Sequence, residues 1–129
     1  MLRKVSTATV IALLSTPTFA ADARFEATLK QLDPDTRLEQ LCAAEAMDRI
    51  GRESNPFQPE RAVPDAISPT HVVDHTLQGT GAAFRSKGRW YQLSFTCKAS
   101  PDHMKIISFE YQIGPAIPEA KWASYGLWH

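Results

Sequence analysis

Between Gly81 and Gly114 apolar and polar residues alternate along two long runs, the pattern of antiparallel strands with one dry face and one wet face. In residues 89–98, Tyr91, Leu93, Phe95 and Cys97 fall on one side, and Trp90, Gln92, Ser94, Thr96 and Lys98 on the other. Residues 103–113 repeat the alternation, with Ile107, Phe109, Tyr111 and Ile113 inward and Ser108, Glu110 and Gln112 outward. Pro101 and Asp102 mark a turn between the two runs, because Pro fixes φ and Asp bonds its own backbone. Residues 82–86 read as a shorter strand, joined to the next by Lys87-Gly88, where Gly accepts a positive φ. Residues 71–77 are β-branched enough to make a fourth strand, with a turn expected at 78–81. Parallel sheets, buried on both faces, lack this alternation. A one-sided antiparallel sheet needs a cover.

Helices are expected to supply it. Phe25, Leu29 and Leu32 stand at i, i+4 and i+7 in a short amphipathic helix over 22–32. Asp33-Pro34-Asp35 then opens a longer one, with Asp33 as N-cap, Pro34 in the first turn and acid near the positive dipole end. That helix is expected to run to Ile50 and stop at Gly51, with Leu38, Leu41, Cys42, Ala46 and Ile50 as its apolar stripe and Met47 off the stripe's edge. Residues 52–59 read as loop and 60–67 as a short helical turn broken by Pro64. Pro118-Glu119 opens a final short helix carrying Trp122 and Tyr125, and the late aromatics mark a tail that docks. The fold class is therefore α+β: N-terminal helices packed on a four-stranded antiparallel sheet, closed by a short C-terminal helix.

The first residues read as a targeting segment. Arg3 and Lys4 precede an apolar run over 5–14, and Thr18-Phe19-Ala20 offers the small residues that a signal peptidase accepts. Residues 1–20 are read as a signal peptide and 21–129 as a single domain, with a second possible cut after Ala23. The apolar run is shorter than the ~20 residues that span a bilayer, so an integral membrane protein is not expected. Cleavage removes two of fourteen basic residues and none of the fourteen acidic ones, leaving a net charge of about −2. That balance gives no electrostatic footprint for nucleic acid. In an oxidising compartment two lone cysteines bond, and Cys42 with Cys97 would staple the helix layer to the central strand. A redox-active pair would stand as Cys-x-x-Cys, which is absent.

Three groups of residues could carry chemistry. His71-Val72-Val73-Asp74-His75 puts both histidines on one face of a strand, a metal site only with a further ligand such as His103 or Asp102. Arg85, Lys87 and Arg89 with Trp90 at the hairpin interleave cations with an aromatic, a binding face for an anionic glycan or an acidic protein surface, and least of all for nucleic acid given the near-neutral total charge. Glu45, Glu110 and Asp102 are scattered carboxylates, and Ser94, Ser100 and Ser108 lie in no G-x-S-x-G context. There is no H-E-x-x-H, phosphate-cradling loop or dinucleotide fingerprint, so no residue is assigned a catalytic role and no cofactor is implied.

Leu32-Asp33-Pro34-Asp35-Thr36-Arg37-Leu38-Glu39-Gln40-x-Cys42, Ala46-Met47-x-x-Ile50, Ala83-Phe84-Arg85-Ser86-x-Gly88-x-Trp90-Tyr91-x-Leu93-x-Phe95-x-Cys97 and Phe109-x-Tyr111-x-Ile113-Gly114 together resemble an uncharacterised family. It comprises small exported proteins of rhizobial-type alphaproteobacteria, catalogued as a domain of unknown function. The resemblance spans nearly the whole mature chain, implies a Gram-negative envelope location and pairs the same two cysteines. It brings no catalytic or binding residues with it. The expected function is a periplasmic or secreted binding or interaction module using the face around Arg85, Arg89 and Trp90, with an envelope protein or glycan as partner. The alternatives are a secreted inhibitor of a hydrolase such as lysozyme, or a metal-binding protein or small metalloenzyme using His71 and His75.

Overall fold

Asp33 sets the geometry of the helix layer. Its carboxylate accepts from the Thr36 backbone N–H at 3.1 Å and from the Thr36 hydroxyl at 2.7 Å, and Pro34 follows it into the first turn of α2 (Pro34–Arg52). The computed structural model describes Thr9, Ile11 and residues 18–129; Arg3, Lys4 and most of the expected apolar run lie outside the described residues. The helix α2 runs past Gly51 and is capped by Glu53, whose backbone N–H reaches the Arg49 carbonyl. Leu38, Leu41, Cys42, Ala43, Ala46 and Ile50 are buried along one stripe, and Met47 at its edge is half-buried. Burying each of the three large aliphatics contributes about 1.5–3 kcal/mol.

Before α2 lies α1 (Thr18–Gln31), which buries Leu29 and half-buries the following Leu32 but leaves Phe25 exposed, against the expected stripe. Among the described side chains of α1, Leu29 near its C-terminal end reaches the core. Arg37 holds it there, donating from Nε to the Leu29 carbonyl at 2.8 Å and from Nη2 to the Leu32 carbonyl at 2.9 Å. These are carbonyls that a helix end leaves without intrahelical partners. Nη1 of the same guanidinium donates to the Asp102 carbonyl at 3.0 Å and so ties both helices to the far end of the sheet.

The sheet has five strands rather than the expected four: β1 (Pro59–Val63), β2 (His71–Val73), β3 (Thr76–Ser86), β4 (Arg89–Ala99) and β5 (Ile106–Ala116). All pairings are antiparallel, in the order β1-β3-β4-β5, with the short β2 also paired to β3. The expected helical turn over 60–67 is corrected to strand β1 and the segment after it. Glu60, Arg61 and Ala62 favour helix locally, but pairing with β3 overrides a weak propensity, and Pro59 is tolerated as the first residue of an edge strand.

The turn expected at 78–81 is also corrected, because β3 runs straight through it. The glycines there serve close approach. A Cβ on Gly79 would lie 2.5 Å from the Phe95 ring, and one on Gly81 would collide with Ser68. The register slips between Gly79 and Ala82, a bulge that bends the strand. The hairpin at Lys87-Gly88 is as expected: Ser86 pairs with Arg89, and φ is +49° at Lys87 and +75° at Gly88, as a two-residue I′ turn requires.

The inner face of the sheet meets the helices. Leu77, Ala82, Phe84, Leu93, Phe95, Cys97 and Phe109 form one core with Leu38, Cys42 and Ile50. The Cys42–Cys97 disulfide crosses it, with a Cα–Cα distance of 6.0 Å. A register shift between Lys98 and Ala99 turns Ile106 inward and leaves Ile107 exposed, correcting the expected inward position of Ile107. A second, smaller core sits on the outer face. There Trp90 and Ala83 are covered by Ile117, by Trp122 of α3 (Glu119–Trp122) and by Leu127 after a 3-10 turn (Ala123–Tyr125). The late aromatics do dock. Among the described residues no helix is long and apolar enough to cross a membrane.

Candidate functional site

Among the described residues only the C-terminal segment covers the outer face, at its hairpin end, and the rest of that face is open. Alternation along three strands puts polar side chains there in cross-strand rows. Gln78, Thr96 and Glu110 are register partners in one row, and Ser94 and Gln112 pair in the next, with Thr80 at the bulge beside them. Together they line a depression of about 520 Å³. A shallower one of about 170 Å³ continues it toward Gln92 and Gly114, sharing Thr80, Ser94 and Gln112. Gly114 belongs to the shape of that end: a Cβ there would stand 3.0 Å from the Gln92 side chain.

The chemistry of this trough is uniform. Its polar lining is carboxamides and hydroxyls with one carboxylate, Glu110, and no cation. Among the described residues, none of the side chains of Gln78, Thr80, Gln92, Ser94, Thr96, Glu110 and Gln112 has a hydrogen-bond partner in the protein. Polar side chains elsewhere are put to structural use. Ser86 accepts from the Gln58 backbone, Ser100 and Asp102 stitch the β4–β5 loop together, and Tyr111 donates to Glu53 at 2.8 Å. Hydrogen bonds from Arg49 and then Tyr111 hold the Glu53 carboxyl below its usual range, and Ser100 and the Met104 backbone do the same for Asp102.

The basic group at the hairpin is split by the structure. Trp90 is fully buried, and its indole N–H donates to the Trp128 carbonyl at 2.8 Å. Arg85 donates from Nη1 to the same carbonyl at 3.1 Å, while its Nε stands 3.3 Å from Glu60, near enough for an ion pair but misaligned for a hydrogen bond. Both residues thus hold the C-terminal segment in place. Lys87 and Arg89 remain exposed at the tip, with Arg89 beside Glu119, Trp122 and His129 at a depression of about 360 Å³. Trp90 falls on the wet face by parity, as the alternation says. Its burial comes from the tail, which strand periodicity does not encode.

Of the three histidines read as candidate ligands, two come together and the third does not. His71 is exposed on β2, but His75 and His103 meet, Nδ1 to Nε2 at 3.0 Å. His103 is buried, sits at φ +57° and bonds the Pro34 carbonyl through Nδ1 at 2.7 Å. A carbonyl only accepts, so Nδ1 of His103 carries a proton. When both rings are neutral, Nε2 of His103 accepts and Nδ1 of His75 donates. Among the described residues no group of three or more His, Cys, Asp or Glu side chains is placed to hold a metal. Asp74, at φ +55°, is exposed on the β2–β3 turn.

The polar trough was visible in the sequence as the outward set of β4 and β5, but its third wall, Gln78 and Thr80, was hidden in what read as a turn. No curated protein and no solved structure matches the chain. A family model described as Domain of Unknown Function (DUF930) matches residues 29–127. The match begins at Leu29, the buried end of α1, and ends at Leu127, which closes the second core, so it takes in the helix layer, the sheet and the docked tail. The chain belongs to the DUF930 family.

Proposed function

We propose that the protein is an exported binding module that holds a polar ligand on the open outer face of its sheet, in the periplasm or outside an alphaproteobacterial cell. The observation that carries this is the trough itself: a depression on the outer face of a disulfide-stapled sheet whose polar side chains have no hydrogen-bond partner among the described residues. The strands that carry these groups are held by the core packed behind them, so the backbone positions are set before a ligand arrives. Export is supported by the residue 1–20 pattern and by the buried disulfide. The exposed Lys87 and Arg89 give the hairpin tip a separate place for an acidic partner, across the C-terminal segment from the trough.

The test is amide chemical-shift mapping of isotopically labelled protein against fractionated small-molecule and glycan extract of a Gram-negative envelope. Shifts gathered on Gln78, Ser94, Thr96 and Gln112 support the proposal. Shifts gathered on Lys87 and Arg89 would move the site to the hairpin, and an unperturbed spectrum across all fractions would remove the binding reading.

A further inference from the structure

Taking the open sheet face as the binding surface, on which this step rests, we infer that its ligand is a neutral, hydroxyl-rich chain: an oligosaccharide without charged groups. The argument begins with the inventory. A carboxamide and a hydroxyl each donate and accept, as a sugar hydroxyl does. Gln78, Thr80, Ser94, Thr96 and Gln112 therefore offer matched pairs to vicinal hydroxyls, with no hydrogen-bond partner among the described residues to displace. Glu110 adds one strong acceptor, since a hydroxyl bonded to a carboxylate makes a charge-assisted hydrogen bond.

The same inventory excludes other ligands. An anion would find no cation in the trough and would meet Glu110; Lys98 stands one row beyond, and Lys87 and Arg89 lie past the covered hairpin end. A cation would find one carboxylate amid neutral groups. An apolar ligand would strip water from the glutamines without replacing their hydrogen bonds. A nucleobase wants a ring to stack on, but Phe95 and Tyr111 pack with the inner core. An extended peptide adds to a sheet at its edge, where its backbone pairs, rather than across its face.

Geometry agrees with the chemistry. Neighbouring strands lie about 4.8 Å apart, so a chain laid across β3, β4 and β5 meets a polar side chain at each strand. Successive rows on one face are roughly 7 Å apart, two residues of rise, so a chain lying over the depression meets both the Gln78–Thr96–Glu110 row and the Ser94–Gln112 row.

Three neutral probes (maltohexaose, cellohexaose and chitohexaose), an anionic one (hexagalacturonate) and a cationic one (the glucosamine hexamer) are titrated into the full mature chain, read by chemical shift at low and high salt. The expected result is saturable shifts at Gln78, Ser94 and Gln112 with at least one neutral hexamer. Its affinity should be unchanged by salt, because no ion pair is screened. Gln78→Ala and Gln112→Ala, both at exposed positions, should each weaken it roughly fivefold, as loss of one or two hydrogen bonds does, while Lys87→Glu leaves it unchanged. Retained spectral dispersion shows that the variants fold. Trough shifts with a charged hexamer alone, or an affinity that falls with salt, would overturn the neutral-glycan assignment but keep the binding module. If neither these probes nor any envelope fraction perturbs the trough, both readings fall.

Discussion

Replacing both cysteines with alanine measures what the staple contributes. Cys42 and Cys97 are completely buried and separated by 55 residues, joining the middle of α2 to β4. In the chain-entropy model, closing a loop of that length removes about 4 kcal/mol of freedom from the unfolded chain. The alanines leave a small void in a core that Leu38, Leu93 and Phe109 define, adding roughly 1 kcal/mol. A domain of this size is stable by about 5–15 kcal/mol, so the variant should sit near the edge of folding, with Tm lowered by roughly 20 °C. Guanidinium unfolding of wild type, oxidised and reduced, and of the double variant gives the numbers. The slope should also rise, because the uncrosslinked chain exposes more surface. A loss below about 1 kcal/mol with an unchanged slope would refute the reasoning, since it would mean that the unfolded chain is already held compact without the bond.

Gly79→Ala should cost about 1–3 kcal/mol, because its Cβ would enter the Phe95 ring at 2.5 Å, and a neutral result in thermal unfolding would contradict the close packing there. His103→Ala leaves the Pro34 carbonyl and the His75 ring without their partner, so calorimetry should show a loss of about 1–3 kcal/mol. Acid should destabilise the fold. Asp33, Glu53 and Asp102 all have carboxyls held below their usual range, by Thr36, by Arg49 and Tyr111, and by Ser100 and Met104. Each is therefore stabilising above the unfolded carboxylate range and loses that contribution as pH falls through its folded value. Stability should hold from neutral to about pH 5 and decline below about pH 4. Glu39 works in the other direction, since burial and the carboxylates of Asp65, Asp35 and Asp33 raise it, so its protonation offsets part of the decline. Stability that rises below pH 4 would contradict this balance of signs.

Local rules read the strands with two-sided patterns well. Residues 89–98 and 109–113 alternate because one face meets helices and the other meets water, and the Lys87-Gly88 turn is written in two residues. The same rules failed where a distant segment decides. Trp90 looks like a wet-face aromatic until the docked Trp122 and Leu127 cover it. Gly79 and Gly81 look like a turn because the reasons for them, Phe95 and Ser68, lie elsewhere in the chain. Ile107 is displaced by a one-residue register shift that parity cannot anticipate. The open outer face shows both effects: its β4 and β5 walls are legible as alternation, its β3 wall is concealed by the glycines, and Arg85, which reads as part of a basic group, holds the tail.

The central claim is that the open sheet face, and not the basic hairpin, is the working surface. Thr96→Trp and Arg89→Glu, compared side by side against the same envelope fractions by chemical-shift titration, test it most directly. The first fills the trough from an exposed position, and the second reverses charge at the hairpin tip. The account predicts that Thr96→Trp abolishes ligand-induced shifts while Arg89→Glu retains them at wild-type affinity. Binding that survives Thr96→Trp and is lost in Arg89→Glu would contradict it.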